Sequence, residues 1–155
     1  MQGKPLRLLC VGKLKASFWK EAADDYLKRI ERMRPLTITE IRDGGGVPKA
    51  RREDESARLL SALDASDFAI ALDESGQSLS SREFAALLRK IDEEALGRPC
   101  FIIGGPFGLA QTLLEKSRRI LSLSLLTWPH ELARVLLLEQ IFRAECLRRN
   151  IPYHH

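Results

Sequence analysis

The stretch from Pro99 to His130 reads PCFIIGGPFGLAQTLLEKSRRILSLSLLTWPH. It holds two short apolar segments, 99–103 and 120–126, separated by a glycine-rich loop and a helical segment, 109–119. Short apolar runs bounded by Gly or Pro are typical of buried strands. A helix between two such strands favours parallel pairing, because it returns the chain to the edge where it started. The stretch therefore predicts one strand–helix–strand unit of a parallel sheet.

The rest of the chain repeats this alternation. Further strands are predicted at Leu6–Val11, Leu36–Arg42 and Phe68–Leu72, and further helices from Ser17 to before Pro35, from Lys49 to Leu63, from the capping box of Ser80 and Glu83, and from Pro129 to Arg149. Asp73-Glu74-Ser75-Gly76 is expected to end the third strand. The 155 residues thus predict an α/β fold, with a mostly parallel sheet of five to six strands and helices on both faces. We expect a single domain, residues 1–155.

The last predicted helix is apolar around nearly its whole circumference. Its apolar residues are Leu132, Val135, Leu136, Leu137, Leu138, Ile141, Phe142 and Leu147. A helix that is apolar all round is normally buried. We expect a second copy of the chain to cover the face that its own sheet leaves open, so the sequence predicts a homodimer.

The composition is typical of a globular protein from a reducing compartment, with 45% hydrophobic and 30% charged residues. The longest apolar runs reach only about half the length of a membrane-spanning helix, and no signal-peptide pattern precedes the first strand. No membrane partner and a cytoplasmic location are therefore expected. The scattered Cys10, Cys100 and Cys146 predict neither a disulfide framework nor a metal site. A Gly-x-Ser-x-Gly elbow is also absent, which excludes hydrolases of that type.

Positive charge is concentrated towards the C-terminus. From Lys116 onward there are seven Lys and Arg residues against three acidic ones, which equals the whole net charge of +4. Planar guanidinium groups suit phosphate, so the pattern favours an anionic partner such as RNA. A solvated helix face explains the same pattern equally well.

The loop Gly104-Gly105-Pro106-Phe107-Gly108 follows one predicted strand and precedes a helix. Glycines let a ligand approach the backbone closely, and open α/β sheets bind ligands at the carboxyl ends of their strands. The loop lacks the sequence patterns of phosphate-binding loops and dinucleotide sites. It predicts a ligand loop of unspecified type, with a plain tight turn as the alternative.

The segment from Leu123 to His130 also joins a strand end to a helix. Its apolar side chains and its backbone groups suit a purine ring. His130 falls in the first helical turn, where it would serve as a general base or as a donor to phosphate, because imidazole changes charge near neutral pH. A histidine that faces water at a helix start is equally compatible with the sequence.

The end of the chain combines Arg148 and Arg149 with Tyr153, His154 and His155. Aromatic rings stack on bases and arginines contact phosphates, so these residues predict an RNA-binding patch. Two alternatives remain open. The tail is frayed, or the terminal pair of histidines is an added tag.

Four motifs together resemble, in order and spacing, the RlmH family. They are Gly104-Gly105-Pro106-x-Gly108, Leu123-Ser124 through Thr127-x-Pro129-His130, Glu139-Gln140-Ile141-Phe142-Arg143-Ala144 and Asn150-x-Pro152-Tyr153-His154. This family is the ribosomal RNA large subunit methyltransferase H group, the smallest members of the SPOUT methyltransferases. The resemblance covers essentially the whole chain, although the N-terminal half matches by pattern more than by motif.

The resemblance implies an α/β domain with a deep C-terminal trefoil knot. It implies a homodimer, with the cofactor S-adenosylmethionine held in the knot near the partner subunit. The implied reaction is methylation of ring nitrogen N3 of a pseudouridine in helix 69 of large-subunit ribosomal RNA. The implied substrate is the assembled ribosome rather than free RNA.

By position, the family's cofactor contacts fall on Leu72, Gly104, Leu123, Ser124, Leu125, Leu126, Thr127 and Trp128. Its arginine in the last helix falls on Arg143, and its Tyr-His tail falls on Tyr153 and His154. The family commonly continues with Arg, whereas this chain ends at His155, so a phosphate contact there is weakened or pH-dependent. For a direct methyl transfer, His130 and His154 are candidate bases, and Arg143 would stabilise the developing anion.

Two other functions stay open from the sequence. One is a SPOUT methyltransferase that acts on transfer RNA, because a fold alone does not select a substrate. The other is a non-catalytic ribosome-binding assembly factor that keeps the fold. The intact glycines of the 104–108 loop argue against the assembly factor, and the lack of a separate RNA-binding domain favours the ribosome over transfer RNA.

Overall fold

The computed structural model describes residues 3–155. Met1 and Gln2, at the N-terminus where no signal-peptide pattern is predicted, lie outside the described residues. Strands and helices alternate along it. The elements are β1 (Leu6–Val11), α1 (Ser17–Glu31), β2 (Leu36–Ile41), α2 (Pro48–Ser61), β3 (Asp67–Ser78), α3 (Ser81–Glu93), β4 (Arg98–Ile103), α4 (Gln111–Lys116), β5 (Arg119–Ser122) and α5 (His130–Arg148). None of these helices is long and apolar enough to cross a membrane.

The described residues form one parallel sheet of five strands, in the order β2-β1-β4-β3-β5. Side chains alternate between its two faces. On β1, Leu8 and Cys10 pack with α1, α3 and α5, whereas Leu9 and Val11 pack with α2 and α4. The predicted α/β fold with helices on both faces is confirmed, and the carboxyl ends of all five strands meet at one edge. The trefoil knot stays a prediction.

β3 is longer than the sequence predicts. It runs to Ser78 through Asp73–Gly76, the segment expected to end it at Leu72. β5 pairs with β3 both before and after this segment, so the segment is a bulge rather than a turn. Gly76 allows the close pairing, because a Cβ there would lie 2.6 Å from the backbone of Ile120.

β5 is shorter than predicted, since the strand expected to reach Leu126 ends at Ser122. The Ser122 hydroxyl donates to the Ser124 carbonyl over 2.7 Å, and the Ser124 hydroxyl accepts from the Leu126 N–H over 2.9 Å. Such local bonds compete with the hydrogen bonds of a sheet. Residues 123–129 therefore form a loop at the carboxyl edge.

α3 begins where the sequence predicts, because the capping box forms. The Glu83 N–H donates to the Ser80 hydroxyl over 3.1 Å, and the Ser80 N–H donates to the Glu83 carboxylate over 2.7 Å. α4 covers six residues rather than the expected 109–119. Ala110 before it is extended and donates its N–H to the Ser56 hydroxyl of α2 over 2.8 Å, which delays the helix start.

α5 packs between α1 and α3 of the same chain. Phe142 on α5 meets the Tyr26 ring of α1, and Gln140 accepts a 2.7 Å hydrogen bond from Ser81 of α3. None of residues 131–148 is exposed. Neighbouring helices of the same chain therefore cover much of the apolar surface of α5, and the homodimer stays a prediction.

Two buried arginines fix the two ends of α5. Arg134, near its start, donates to the Glu40 carboxylate of β2 over 2.7 Å. Arg34, which is fully buried, donates to Asp92 of α3 over 2.8 Å and to Glu145 near the end of α5 over 2.9 Å. The position of each end is thus set by a charge-assisted hydrogen bond to another element.

Candidate cofactor and substrate site

A cavity of about 440 Å³ opens at the carboxyl edge, beside the bulge of β3, the ends of β4 and β5 and the start of α5. Its volume falls within the range of small-molecule sites in proteins. Most of the predicted cofactor contacts line it, together with the predicted base: Leu72, Gly104, Leu123, Ser124, Leu126, Thr127, Trp128 and His130. The remaining predicted contact, Leu125, lies in the same loop and is 92% exposed.

The glycine loop closes one wall of this cavity with a tight turn. The Gly108 N–H donates to the Gly105 carbonyl over 3.0 Å, and Gly108 has a φ of +79°. A Cβ on Gly104 would lie 2.8 Å from the Gly108 carbonyl, so the loop has this shape only with glycine there. The loop is both a tight turn and a cavity wall, and the two interpretations of the sequence are compatible.

Another part of the lining is apolar. Leu72 at the β3 bulge, Leu123 after β5 and the partly exposed Trp128 all line the cavity. Apolar and aromatic side chains of this kind are typical of pockets that bind ring systems. This part of the cavity suits a purine.

His130 is the first residue of α5 and lies half-buried in the cavity wall. Burial lowers the pKa of His130 below its usual 6.5, and the nearby Glu131 carboxylate only partly opposes this effect. The imidazole is therefore neutral at pH 7 and able to accept a proton. Its place in the cavity wall favours the interpretation as a base or donor over that of a histidine facing open water.

The chain end folds back onto α5 and forms what we call the C-terminal cluster: Glu139, Arg143, Tyr153 and His154. The Arg143 Nε donates to Glu139 over 3.1 Å, and the Tyr153 hydroxyl donates to the same carboxylate over 3.0 Å. The His154 Nδ1 lies 3.2 Å from an Arg143 Nη. The alternative that the tail is frayed is therefore wrong.

Burial and hydrogen bonding shift the pKa of two members of the C-terminal cluster, Tyr153 and Arg143. Burial and the hydrogen bond to Glu139 raise the pKa of Tyr153 to about 12, so its phenol is neutral. The hydrogen bond to Glu139 also raises the pKa of Arg143. The Arg143 guanidinium lies 4.8 Å from the Tyr153 ring centroid, and the Phe142 ring meets Tyr153 edge to face. Within one chain, Tyr153 thus already has a cationic partner for its ring.

The predicted catalytic residues do not meet within one chain. His130 lies at the cavity, whereas Arg143 lies thirteen positions later on the same helix. At the rise of an α-helix, this separation is about 20 Å along the axis. His154 stays with Arg143 at the distant end. If all three residues act on one substrate, Arg143 and His154 must come from a second copy of the chain.

The predicted RNA contacts Arg148 and Arg149 are paired within the fold. Arg148 donates to Asp92 over 2.8 Å, and Arg149 lies 3.7 Å from the buried Glu145. Arg149 also donates to the Met33 carbonyl. The predicted contact His155 is exposed. These residues stay predicted RNA contacts, and the positive charge of the two arginines is shared with carboxylates of the fold.

Three charged residues of the cavity were missed by sequence reasoning: Arg52, Asp73 and Glu74. In the sequence, Asp73 and Glu74 directly follow the predicted strand Phe68–Leu72, and this position is the signal that could have identified them. Arg52 reaches the cavity because α2 lies beside the glycine loop, where a Cβ on Gly105 would be 2.9 Å from the Glu55 carboxylate. The local sequence of α2 does not predict this packing.

No metal centre is found within residues 3–155, where no group of three or more His, Cys, Asp or Glu side chains is arranged to hold an ion. Cys10, Cys100 and Cys146 are free and buried. Burial raises the pKa of Cys10 and of Cys100 to about 12, so neither is a reactive thiolate at neutral pH.

The sequence also matches a known protein family. The sequence model of a family described as "Predicted SPOUT methyltransferase" matches residues 5–154. The chain belongs to the SPOUT methyltransferase family. This SPOUT chain has full-length relatives named "Ribosomal RNA large subunit methyltransferase H". One from Desulfovibrio desulfuricans is 55% identical over 157 residues and covers 100% of both chains.

Two further relatives carry the same name. The one from Lawsonia intracellularis is 49% identical and covers 100% of both chains. The one from Maridesulfovibrio salexigens is 40% identical and covers 97% of each. The resemblance of this SPOUT protein to the RlmH family is therefore confirmed.

Solved structures agree on the fold. A putative methylase family protein from Neisseria gonorrhoeae has a TM-score of 0.57 at 14% identity, covering 98% of this chain and 86% of that one. A probable methyltransferase from Bordetella pertussis has a TM-score of 0.58 at 17% identity, covering 92% of this chain and 95% of that one. At such low identity, these likenesses concern the architecture of the SPOUT chain alone.

Proposed function

We propose that this SPOUT chain transfers a methyl group from S-adenosylmethionine to large-subunit ribosomal RNA. The acceptor is N3 of a pseudouridine in helix 69 of assembled ribosomes, which places the reaction in the cytoplasm. The observation that carries the proposal is the cavity at the carboxyl edge, which joins the Gly104–Gly108 loop, an apolar wall and His130. The names of the full-length relatives support ribosomal RNA as the substrate class.

The residues of the cavity fit the cofactor. The turn at Gly104 is a cradle that any Cβ would fill, and it brings the backbone within reach of a ligand. Leu72, Leu123 and Trp128 supply the apolar wall for the adenine ring. When bound, S-adenosylmethionine supplies an electrophilic methyl group. The chain itself supplies position, a proton acceptor and charge stabilisation.

The acceptor nitrogen must lose its proton before it receives the methyl group. His130 takes this proton, because its lowered pKa keeps the imidazole neutral at pH 7. The Arg143 guanidinium stabilises the negative charge that develops on the uracil ring. His154, which contacts Arg143, is the alternative base.

The active unit in this proposal is a homodimer. Phe18, Leu125 and Leu126 are 62%, 92% and 66% exposed. Lys15 donates its N–H to the Glu131 carboxylate, which places the start of α1 beside the start of α5. An exposed apolar patch next to a ligand cavity suits a second copy of the chain. The C-terminal cluster of the partner would then complete the cavity.

The reaction is tested by transfer of labelled methyl groups to ribosomes from a strain that lacks the modification. Free ribosomal RNA and transfer RNA serve as parallel substrates. We expect label in large-subunit RNA when intact ribosomes are supplied and little label otherwise. Label in transfer RNA would contradict the proposed substrate. Cofactor binding with no label in any substrate would indicate an assembly factor.

The homodimer is tested by mixing two inactive chains, His130→Ala and Arg143→Ala. If each cavity uses the partner's C-terminal cluster, a mixed dimer has one intact site. Random re-association then restores about one quarter of the wild-type activity. No recovery, in a mixture shown by mass spectrometry to contain mixed dimers, would mean that both residues act within one chain.

A further inference from the structure

Arg52 differs from the other arginines of α2. Its side chain lines the cavity, and its Nε is buried with no hydrogen-bond partner among residues 3–155. Arg51 pairs with Glu55 over 3.3 Å and covers the Phe107 ring. Arg58 pairs with Asp54 over 2.9 Å and donates to a backbone carbonyl. Arg52 is therefore the arginine of α2 with a buried donor that lacks an acceptor among residues 3–155.

A buried N–H without an acceptor destabilises a protein unless something else accepts its hydrogen bond. The Nε and one terminal nitrogen of a guanidinium form a planar pair of donors that matches the two oxygens of a carboxylate. Arg52 is one of the residues that line the cofactor cavity, so a molecule that fills the cavity lies next to this residue.

We propose that Arg52 binds the carboxylate of the methionine end of S-adenosylmethionine. The same cavity is lined by Asp73 and Glu74, whose carboxylates suit the ammonium of that methionine group. One cation and two acids around one cavity complement a zwitterion better than they complement a polyanion. The inference rests on the proposed function, and it assigns one end of the cofactor to a residue of α2.

An RNA phosphate is the other group that would satisfy Arg52, because phosphate oxygens accept from the same pair of donors. The two possible partners of Arg52, the cofactor carboxylate and an RNA phosphate, are distinguished by the change that abolishes the contact. A cofactor analogue without the carboxylate removes it only if the cofactor is the partner. The salt dependence of ribosome binding changes only if a phosphate is the partner.

The experiment measures binding by calorimetry in the absence of RNA. The ligands are S-adenosylmethionine and its decarboxylated analogue, and the proteins are wild type, Arg52→Gln, Arg52→Lys and the matched control Arg58→Gln. A charge-assisted bidentate pair corresponds to about a 10- to 100-fold difference in affinity. We expect wild type and Arg58→Gln to prefer the cofactor over the analogue by this factor.

Arg52→Gln should bind both ligands with nearly the same, weaker affinity, and Arg52→Lys should lie in between because it keeps the charge but loses the planar pair. Thermal unfolding with the wild-type midpoint shows that a variant is folded. A folded Arg52→Gln that still prefers the cofactor would overturn the inference. If Arg52→Gln keeps the wild-type preference for the cofactor over the analogue but shows a smaller salt dependence of ribosome binding, Arg52 binds a phosphate and the inference is overturned. If wild type binds neither ligand, the proposed function itself fails.

Discussion

The cavity and the C-terminal cluster are built in different ways, although α5 takes part in both. The cavity is made by loops at strand ends, where the backbone shape at Gly104 determines what fits. The cluster is made by side chains of one helix and of the tail that folds back onto it. Arg134 holds the helix end at the cavity, and Arg34 holds the helix end near the cluster. The sheet therefore specifies the proposed cofactor site, whereas the position of the proposed catalytic groups Arg143 and His154 depends on how the end of α5 is anchored.

The largest effect is expected at the cavity. His130→Ala should lower the rate of methyl transfer by about 10²- to 10⁴-fold, which is the usual contribution of a general base. Cofactor affinity, measured by calorimetry, should change little, because the glycine loop and the apolar wall remain. A variant with near-normal turnover would show that another group accepts the proton.

The pH profile of the wild type sharpens this assignment. As the proposed base, His130 would act only when it is neutral, and burial holds its pKa below 6.5. The rate should therefore be retained at pH 6.5 and should fall only as the pH is lowered through that depressed pKa. The same loss in the His130→Ala variant would assign the titration to another residue.

The next largest effect is expected at the other end of α5, on stability. Arg34→Met removes the cation between Asp92 and Glu145, whose side chains are each 2% exposed. Two buried carboxylates then share fewer positive partners, and breaking a buried pair in this way costs about 3–5 kcal/mol. Urea denaturation followed by circular dichroism measures the change in the free energy of unfolding.

The matched control for Arg34→Met is Arg89→Met. Arg89 pairs with Glu93 on the exposed side of α3, and both side chains are more than half exposed. An exposed pair of this kind contributes less than about 1 kcal/mol. Equal losses for the two variants would mean that the buried network does not anchor α5.

Much of the cavity follows from the sequence for a simple reason. Parallel strands place all their carboxyl ends at one edge, so residues at or just after the ends of separate predicted strands, such as Leu72, Gly104 and Leu123, are expected to meet. The capping box at Ser80 is equally local, because its two partners are three positions apart. Features fixed by neighbours in the chain, or by the direction of strands, were therefore predicted correctly.

Features fixed by packing between distant elements were not predictable. β3 continues through Asp73–Gly76 because β5 pairs with it on both sides of the bulge. Arg52 reaches the cavity because α2 lies against the glycine loop. Much of α5 is covered within the chain, because α1 and α3 flank it. Each of these outcomes depends on a contact between residues that are far apart in sequence.

A smaller effect, on cofactor affinity, is expected when alanine replaces Gly104 but not when it replaces Gly45. Gly104→Ala places a Cβ 2.8 Å from the Gly108 carbonyl, so the loop must move. We expect cofactor affinity to fall by about 10- to 100-fold, because small misplacements at a site have effects of this size. The control Gly45→Ala has nothing within 4 Å of the added Cβ and should bind as wild type does. Equal affinities for both variants would contradict the role of the 104–108 loop.

The smallest effect is expected for Tyr153→Phe, which removes one hydrogen bond to Glu139 while Arg143 still pairs with it. The loss of stability at pH 7 should be about 1 kcal/mol. Because the pKa of Tyr153 is raised from 10.0 to about 12, its contribution is complete below pH 10 and is lost as the pH rises towards 12. Phenolate absorbance should show a step near pH 12 in the wild type that the variant lacks. If that step instead lies near pH 10, the tail does not pack against α5 in solution, and the C-terminal cluster forms only when the substrate or the partner subunit brings it together.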